Sequence, residues 1–284
     1  AIGLVARMIA DKDADAVMAV FPADHVVANS ESFIKVLQKA KSLAQKDFLV
    51  TLGIPPTRPE TGFGYLKQGN EIHGFQETYH VEKFVEKPDA STAKKYLERG
   101  TYFWNCGVFI WKATTLLEEL EKHAPDIHSQ LKTLVGCMQN SKGKLSHLEM
   151  NAKGCEIFSS LPSLSIDYAV MEKSSKVVLV PANIGWSDVG AWNALDDVCE
   201  KDTEGNILTG NVLARDCNNS IVHVQNRLVA VLGLNDTVVV DTQDALLVCA
   251  KDKSQDVKKI VEALNEKGHS EGKLHAIVKK PWGS

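Results

Sequence analysis

Asp24 lies in Pro22-Ala23-Asp24-His25, just past the apolar run 16–21, and Asp188 lies in Gly185-Trp186-Ser187-Asp188-Val189-Gly190, past the apolar stretch 176–180. Carboxylates beyond the ends of buried strands stand where open α/β sheets bind ligands. Two of them can share one Mg²⁺ through oxygen, leaving sites for phosphate oxygens and water. Such an ion neutralises charge during phosphoryl or nucleotidyl transfer. Each aspartate also has a plainer reading: Asp24 as a cap for the following helix, Asp188 as the N-cap of a helix starting near Ala191.

Val85-Glu86-Lys87-Pro88 sets acid and base side by side at a strand end. In a binding site Glu86 would take sugar hydroxyls and Lys87 a phosphate, as a point charge. The alternative is a solvated edge strand whose charges discourage aggregation. Strand alternation aims the two at opposite faces unless Pro88 bends the backbone. In Phe103-Trp104-Asn105-Cys106-Gly107-Val108-Phe109 one amide and one glycine interrupt an apolar strand. A buried Asn must find partners, and a lone strand Gly marks close approach of a ligand or backbone; core structure alone accounts for both as well. Cys106 reads as a small hydrophobe, having no His/Asp companion. His25 reads as structural, since none of the nine histidines stands in a metal spacing. Neither G-x-x-x-x-G-K-[ST] nor G-x-G-x-x-G occurs, so the usual phosphate loops are absent.

These residues need a scaffold, and the hydrophobic pattern supplies one. The run 16–21 ends at Pro22 and reads as a buried parallel strand. Phe33, Val36, Leu37, Ala40, Leu43 and Ala44 follow at helical spacing, with Asn29 and Ser30 available as N-caps. Residues 48–52 read as the next strand, completing a βαβ unit that favours an α/β sheet. Residues 53–62 hold three prolines and two glycines, a long surface loop of the kind that binds or covers ligands. Extended segments around 64–67 and 79–87, a helix from about Asp89, a strand at 103–111 and a mostly helical stretch at 113–172 follow. After about Gly205 short β-branched runs alternate with Asn/Asp/Gly turns every ten residues or so, as in a small all-β unit of stacked strands. A charged helix over 254–267, with Val257, Ile260, Val261 and Leu264 on one face, closes it.

The chain has 284 residues, 32 Lys+Arg against 36 Asp+Glu, and 44% hydrophobic residues. That length gives a prior of about two domains, and the composition is that of a soluble globular protein. A net charge of −4 gives no general pull toward nucleic acid or anionic lipid. No apolar run reaches the roughly 18–20 residues of a membrane span. The scattered cysteines 106, 137, 155, 199, 217 and 249 form neither a zinc motif nor a disulfide scaffold, so a reduced cytoplasmic setting is expected.

Taken in order, six segments closely resemble the bacterial mannose-1-phosphate guanylyltransferases. They are 21–25, 53–65, Val-Glu-Lys-Pro at 85–88, Trp-Asn-Cys-Gly-Val-Phe at 104–109, Ser-Ile-Asp-Tyr-Ala-Val-Met-Glu-Lys at 165–173, and Gly-Trp-Ser-Asp-Val-Gly at 185–190. The resemblance implies a Rossmann-like, GT-A-like nucleotidyltransferase α/β domain at 1–203, then a short left-handed β-helix with its closing helix at 204–272. It implies transfer of GMP from GTP to mannose 1-phosphate, giving GDP-mannose and pyrophosphate. Asp24 and Asp188 become the Mg²⁺ ligands. Gly64, Tyr65, Glu86, Asn105, Gly107 and Glu172 line the sugar site, and Lys87 holds the sugar phosphate. A homodimer is the family expectation.

The family's opening strand and loop, G-G-x-G-T-R followed by P-K, which hold the GTP phosphates, are not among these residues. Ala1 matches a helix that comes after them, so the expectation is a segment of a longer protein with little turnover by itself. At the other end, 275–284 resembles the entry to the phosphomannose isomerase domain of bifunctional members, making 273–284 the start of a linker. Two other readings stay open: a transferase using another base or hexose, and a non-catalytic sugar-phosphate-binding module. A metal pair has no use in the latter.

Overall fold

The computed structural model describes residues 1–140 and 148–269. The expected linker 273–284 and the last residues of the 204–272 span lie outside the described residues. Contacts divide the chain into two compact units, Ala1–Ala23 with Val27–Trp186, and Asp24–Val26 with Ser187–Ser284. The division falls before the change of texture at 203. The reason is local: Trp192 and Leu195, on a 3₁₀ turn over Trp192–Asp197, pack onto Ile207, Ile221, Val238 and Val240 of the second unit.

Through Ser187 the chain forms α1 (Ile2–Ala10), β1 (Val17–Val20), β2 (Val26–Val27), α2 (Ser30–Ala44), β3 (Leu49–Ile54), β4 (Gly64–Glu71), β5 (Tyr79–Val85), α3 (Ala90–Arg99), β6 (Tyr102–Lys112), α4 (Ala113–His123), α5 (Pro125–Gly136), β7 (Met138–Asn140), β8 (Leu148–Met150), α6 (Ala152–Ser160), β9 (Val177–Pro181) and β10 (Trp186–Ser187), with Val26 and Ser187 counted in the second unit. Its main sheet runs β1-β6-β3-β9-β5-β4. β3 and β9 are parallel, whereas β6 is antiparallel to both β1 and β3. The βαβ expectation therefore needs correction. β1 and β3 share a direction, but β6 is inserted between them, and β1 is an antiparallel edge strand in which only Met18 is buried. A short apolar run cannot announce an insertion from eighty residues further on.

Central strands feed two apolar layers in alternation, as a strand buried on both faces must. Val177 and Leu179 of β9 join Leu4, Trp111, Leu116, Leu120 and Leu134. Val178 and Val180 join Leu43, Val50, Leu52, Tyr96 and Ile110 on the other side. Side-chain caps start the helices where the sequence offers them. Asn29 Oδ1 accepts from the Ser32 N–H (2.9 Å), and Asp89 Oδ1 accepts from the Thr92 N–H (2.9 Å).

The second unit contains β11 (Ile207–Thr209), β12 (Val212–Arg215), β13 (Ile221–Val224), β14 (Val229–Leu232), β15 (Thr237–Asp241), β16 (Leu246–Ala250) and α7 (Val257–Glu266). β11, β13 and β15 stack in parallel, as do β12 and β14. Val212 pairs with Val229 and Ile221 with Val238, while the first coil is shorter, Ile207 pairing with Ile221; the parallel stacking is that of a β-helix with coils of unequal length. Buried Lys251 ties this unit together, its Nζ donating to Asp196 Oδ1 (2.9 Å) and Asn219 Oδ1 (2.7 Å). The closing helix begins later than 254, behind a 3₁₀ turn over Lys251–Asp256. Its apolar stripe is less covered than the pattern suggests: Ile260 is 56% exposed.

Candidate functional site

In the first unit, β6 bends where Asn105 and Gly107 interrupt its apolar run. Gly107 has φ +71°, a left-handed value that favours glycine. Asn105 pairs across to Gly53 of β3 and to Gly64 of β4. Its Oδ1 accepts from Thr51 Oγ1 (3.1 Å) and from the Gly107 N–H (3.2 Å), while Nδ2 donates to Asp167 Oδ1 (3.2 Å). These partners fix which way the carboxamide points, and the core explanation of Asn105 accounts for only part of them. Gly64 forms a floor beside it: a Cβ there would stand 2.4 Å from Glu86 Oε2 and 3.4 Å from Asn105 Cβ.

Glu86 and Lys87 follow β5, which is flanked by β9 and β4 and is not an edge strand. Protection of an exposed edge therefore does not explain their charges. Lys87 sits at φ +46°, uncommon for a residue with a side chain. The backbone turns there, so strand alternation no longer separates the pair. Burial, then the neighbouring Asp167 charge, pushes the Glu86 carboxyl above the usual range, and Lys87 opposes the rise. Burial likewise raises Asp167, against its bond from Asn105 and the charge of Lys87. Burial and then Asp167 raise Glu172.

Asp167 is the residue that sequence reasoning missed, although 165–173 was among the quoted segments. Residues Asp167–Met171 form a π-turn, with Glu172 as its C-cap, and the Glu172 N–H donates to the Asp167 carbonyl (2.9 Å). In an α-helix, at 3.6 residues per turn, positions five apart diverge by about 140°. The π-turn, bonded from i to i+5, brings them together. No spacing rule for ordinary helices points to this pair.

Tyr65, which the resemblance sets along the sugar site, has its side chain in the core. It is fully buried, tilted against Tyr96, and its hydroxyl donates to the Glu60 carbonyl (2.8 Å). Its work is to hold the proline-rich loop. That loop is also pinned by Phe63, edge-on to Trp104 and Trp186, and by Arg58, 5.5 Å over the Trp104 ring. Cys106 is buried, its thiol pushed up to about 12 by burial, which suits a hydrophobe and not a nucleophile. A cavity of about 970 Å³ lined by Ile2, Leu120, Phe158 and Ile166 also reaches Asp167, but its walls are mainly apolar.

Asp24 and Asp188 both belong to the second unit. β2 pairs with β10, and the Ala28 N–H donates to the Gly185 carbonyl and the Asn29 N–H to the Ile184 carbonyl (3.0 Å each). That antiparallel register carries both aspartates to the same end of the ladder. Neither is a helix cap. Asn29 caps α2, and the 3₁₀ turn at 192–197 has no side-chain cap. Asp188 Oδ1 instead accepts from the Gly190 N–H (3.1 Å), closing a tight loop in which Val189 is held at φ +47°. Among the described residues no group of three or more His, Cys, Asp or Glu could hold a metal.

Two family models match the chain: nucleotidyl transferase over residues 1–205, and the MannoseP isomerase/GMP-like beta-helix domain over 210–264. The alginate biosynthesis protein AlgA of Pseudomonas fluorescens is 41% identical over the whole chain, which spans 58% of that relative. A mannose-1-phosphate guanylyltransferase of Salmonella montevideo is 40% identical over 95% of the chain and 56% of the relative. The chain thus spans somewhat over half the length of the curated relatives it matches. Among solved structures, one described as mannose-1-phosphate geranyltransferase from Thermus thermophilus superposes with a TM-score of 0.80 at 34% identity, covering 93% of this chain and 75% of that one. A mannose-6-phosphate isomerase from Helicobacter pylori gives 0.57 at 31%, covering 66% and 68%. With nearly three-quarters of its length matched by one model, the chain belongs to the nucleotidyl transferase family.

Proposed function

We propose that this chain serves an enzyme transferring GMP from GTP to mannose 1-phosphate, with release of pyrophosphate and formation of GDP-mannose. The observation that carries the reading is the glycine-floored cluster of Glu86, Lys87, Asn105 and Glu172, in a chain similar to proteins named for this reaction. Carboxylates and an amide suit hexose hydroxyls, and the lysine suits a phosphate. In this mechanism Glu86, Asn105 and Glu172 orient the hexose, with Gly64 and Gly107 letting it approach the backbone. Lys87 holds its phosphate for in-line attack on the α-phosphorus of GTP. Orientation supplies much of the rate, and no covalent enzyme intermediate is needed.

Asp24 and Asp188 would hold Mg²⁺. The donor set fits: two carboxylates are hard oxygen ligands, too few for a closed protein cage, which suits an ion that keeps water and phosphate oxygens. When bound, the ion would neutralise phosphate charge. The unpaired cysteines support a proposed reducing, cytoplasmic location, and the family resemblance supports a proposed homodimer.

The test is calorimetry with mannose 1-phosphate, glucose 1-phosphate and galactose 1-phosphate, together with pyrophosphate release from GTP, ATP and UTP in Mg²⁺. Saturable binding that favours mannose 1-phosphate, with slow release that favours GTP, is expected. Preference for another hexose phosphate or another base overturns the assignment.

A further inference from the structure

We propose that Asp167 is a positioning residue of the sugar site: its carboxylate holds the Asn105 carboxamide so that the second Nδ2 hydrogen is presented to a substrate hydroxyl. The inference rests on the sugar-phosphate reading above. Three observations carry it. First, Asn105 has four hydrogen-bonding positions, and Thr51 and Gly107 both donate to its oxygen while Asp167 takes one amide hydrogen. One donor remains. Second, among the described residues Asp167 takes the nitrogen side, and a flipped amide would set its oxygen against Asp167 Oδ1 and its NH2 against the Gly107 N–H, a donor facing a donor. Third, Asp167 is delivered by a π-turn, whose i-to-i+5 bond places it and Glu172 together. Such turns are rare and concentrate at functional sites.

The experiment compares wild type with Asp167→Ala, Asp167→Asn, Asn105→Ala and the Asp167→Ala/Asn105→Ala double variant. Mannose 1-phosphate binding is measured by calorimetry, and the Asn105 side-chain amide is followed by ¹⁵N NMR without ligand. Melting curves establish that each variant is folded. Asp167→Ala is expected to weaken binding about tenfold or more, the worth of a hydrogen bond to a charged group. Asp167→Asn should recover affinity to within about threefold, because its amide oxygen still accepts from Asn105. The double variant should bind no more weakly than Asn105→Ala, since one variant removes what the other orients. The Asn105 amide signals should keep their positions in Asp167→Asn and move in Asp167→Ala. Additive losses, or an Asp167→Asn variant as weak as Asp167→Ala, overturn the proposal. If wild type binds no mannose 1-phosphate, the functional reading falls and the NMR signals decide the positioning claim alone. Asn105 signals indifferent to Asp167→Ala overturn it.

Discussion

Gly64→Ala separates binding from folding more cleanly than any charge substitution in the cluster. Gly64 opens β4 opposite Asn105. An added Cβ would stand 2.4 Å from Glu86 Oε2, whereas Asn105 Cβ at 3.4 Å and Phe84 Cε1 at 3.5 Å are in near-ordinary contact. The carboxylate must therefore retreat by about 1 Å to reach van der Waals separation. It is the far end of a flexible side chain, so the retreat costs the fold little. Alanine also restricts the unfolded chain, worth about 0.4–1 kcal/mol in its favour where the backbone is compatible. The melting temperature should hold or rise slightly. Mannose 1-phosphate affinity should fall, because a displaced Glu86 loses a charged hydrogen bond of about 1.5–3 kcal/mol, or roughly tenfold to a hundredfold in Kd. Gly53→Ala supplies the contrast. Its Cβ would meet Leu179 Cδ1 at 2.2 Å and Phe103 Cβ at 2.8 Å, core atoms that cannot swing away, so overpacking should cost about 1–3 kcal/mol of stability. Calorimetry and thermal melts on the two variants decide the matter. A Gly64→Ala protein that binds like wild type refutes the placement of Glu86 in the sugar site.

Lys87→Gly removes the proposed phosphate contact while relieving a non-glycine φ of +46°. It should abolish the preference for mannose 1-phosphate over mannose in calorimetry while the melting temperature holds or rises. Burial raises the carboxyls of Glu86, Asp167 and Glu172, and the Asp167 charge adds to the rise at Glu86 and Glu172. The folded state therefore binds protons more tightly than the unfolded chain, and their contribution to stability is present below the ordinary carboxylate range and lost as pH rises through the raised values. Glu172→Gln should accordingly raise the melting temperature at pH 7 more than at pH 4, and an equal shift at both would contradict this. Lys251→Met takes the buried donor from Asn219 and leaves Asp196 with Lys201 as its remaining ion-pair partner. With Asp196 still paired, the loss should cost that unit about 1–3 kcal/mol in urea unfolding, the penalty of leaving the Asn219 acceptors unsatisfied. Asp188→Ala should weaken Mn²⁺ binding followed by electron paramagnetic resonance, with Asp24→Ala acting in the same direction.

What could be read from residue types was mostly what local rules govern. The amide and glycine that interrupt β6, the cap at Asn29, the helix start near Asp89, and the Asn/Asp/Gly turns of the stacked coil are visible because each breaks a pattern at its own position. The pairing of β6 between β1 and β3 was not visible, since an apolar run carries no record of its neighbours. Trp192 and Leu195 fell where one reading placed a helix starting near Ala191, and nothing local shows that they pack onto strands that come after them. Val257, Ile260, Val261 and Leu264 do form one helical stripe, yet periodicity does not say how far it is covered. Asp167 escaped because the π-turn departs from the spacing by which helix faces are judged. For Tyr65 the limit is different: a motif position says where a residue lies along the chain, not whether its ring faces the ligand or the core.

The most direct test is a crystal structure of this chain grown with mannose 1-phosphate. The account predicts the hexose over Gly64, its hydroxyls on Glu86 and the Asn105 amide, and its phosphate on Lys87. Density for the ligand elsewhere, with this cluster unchanged, would contradict it.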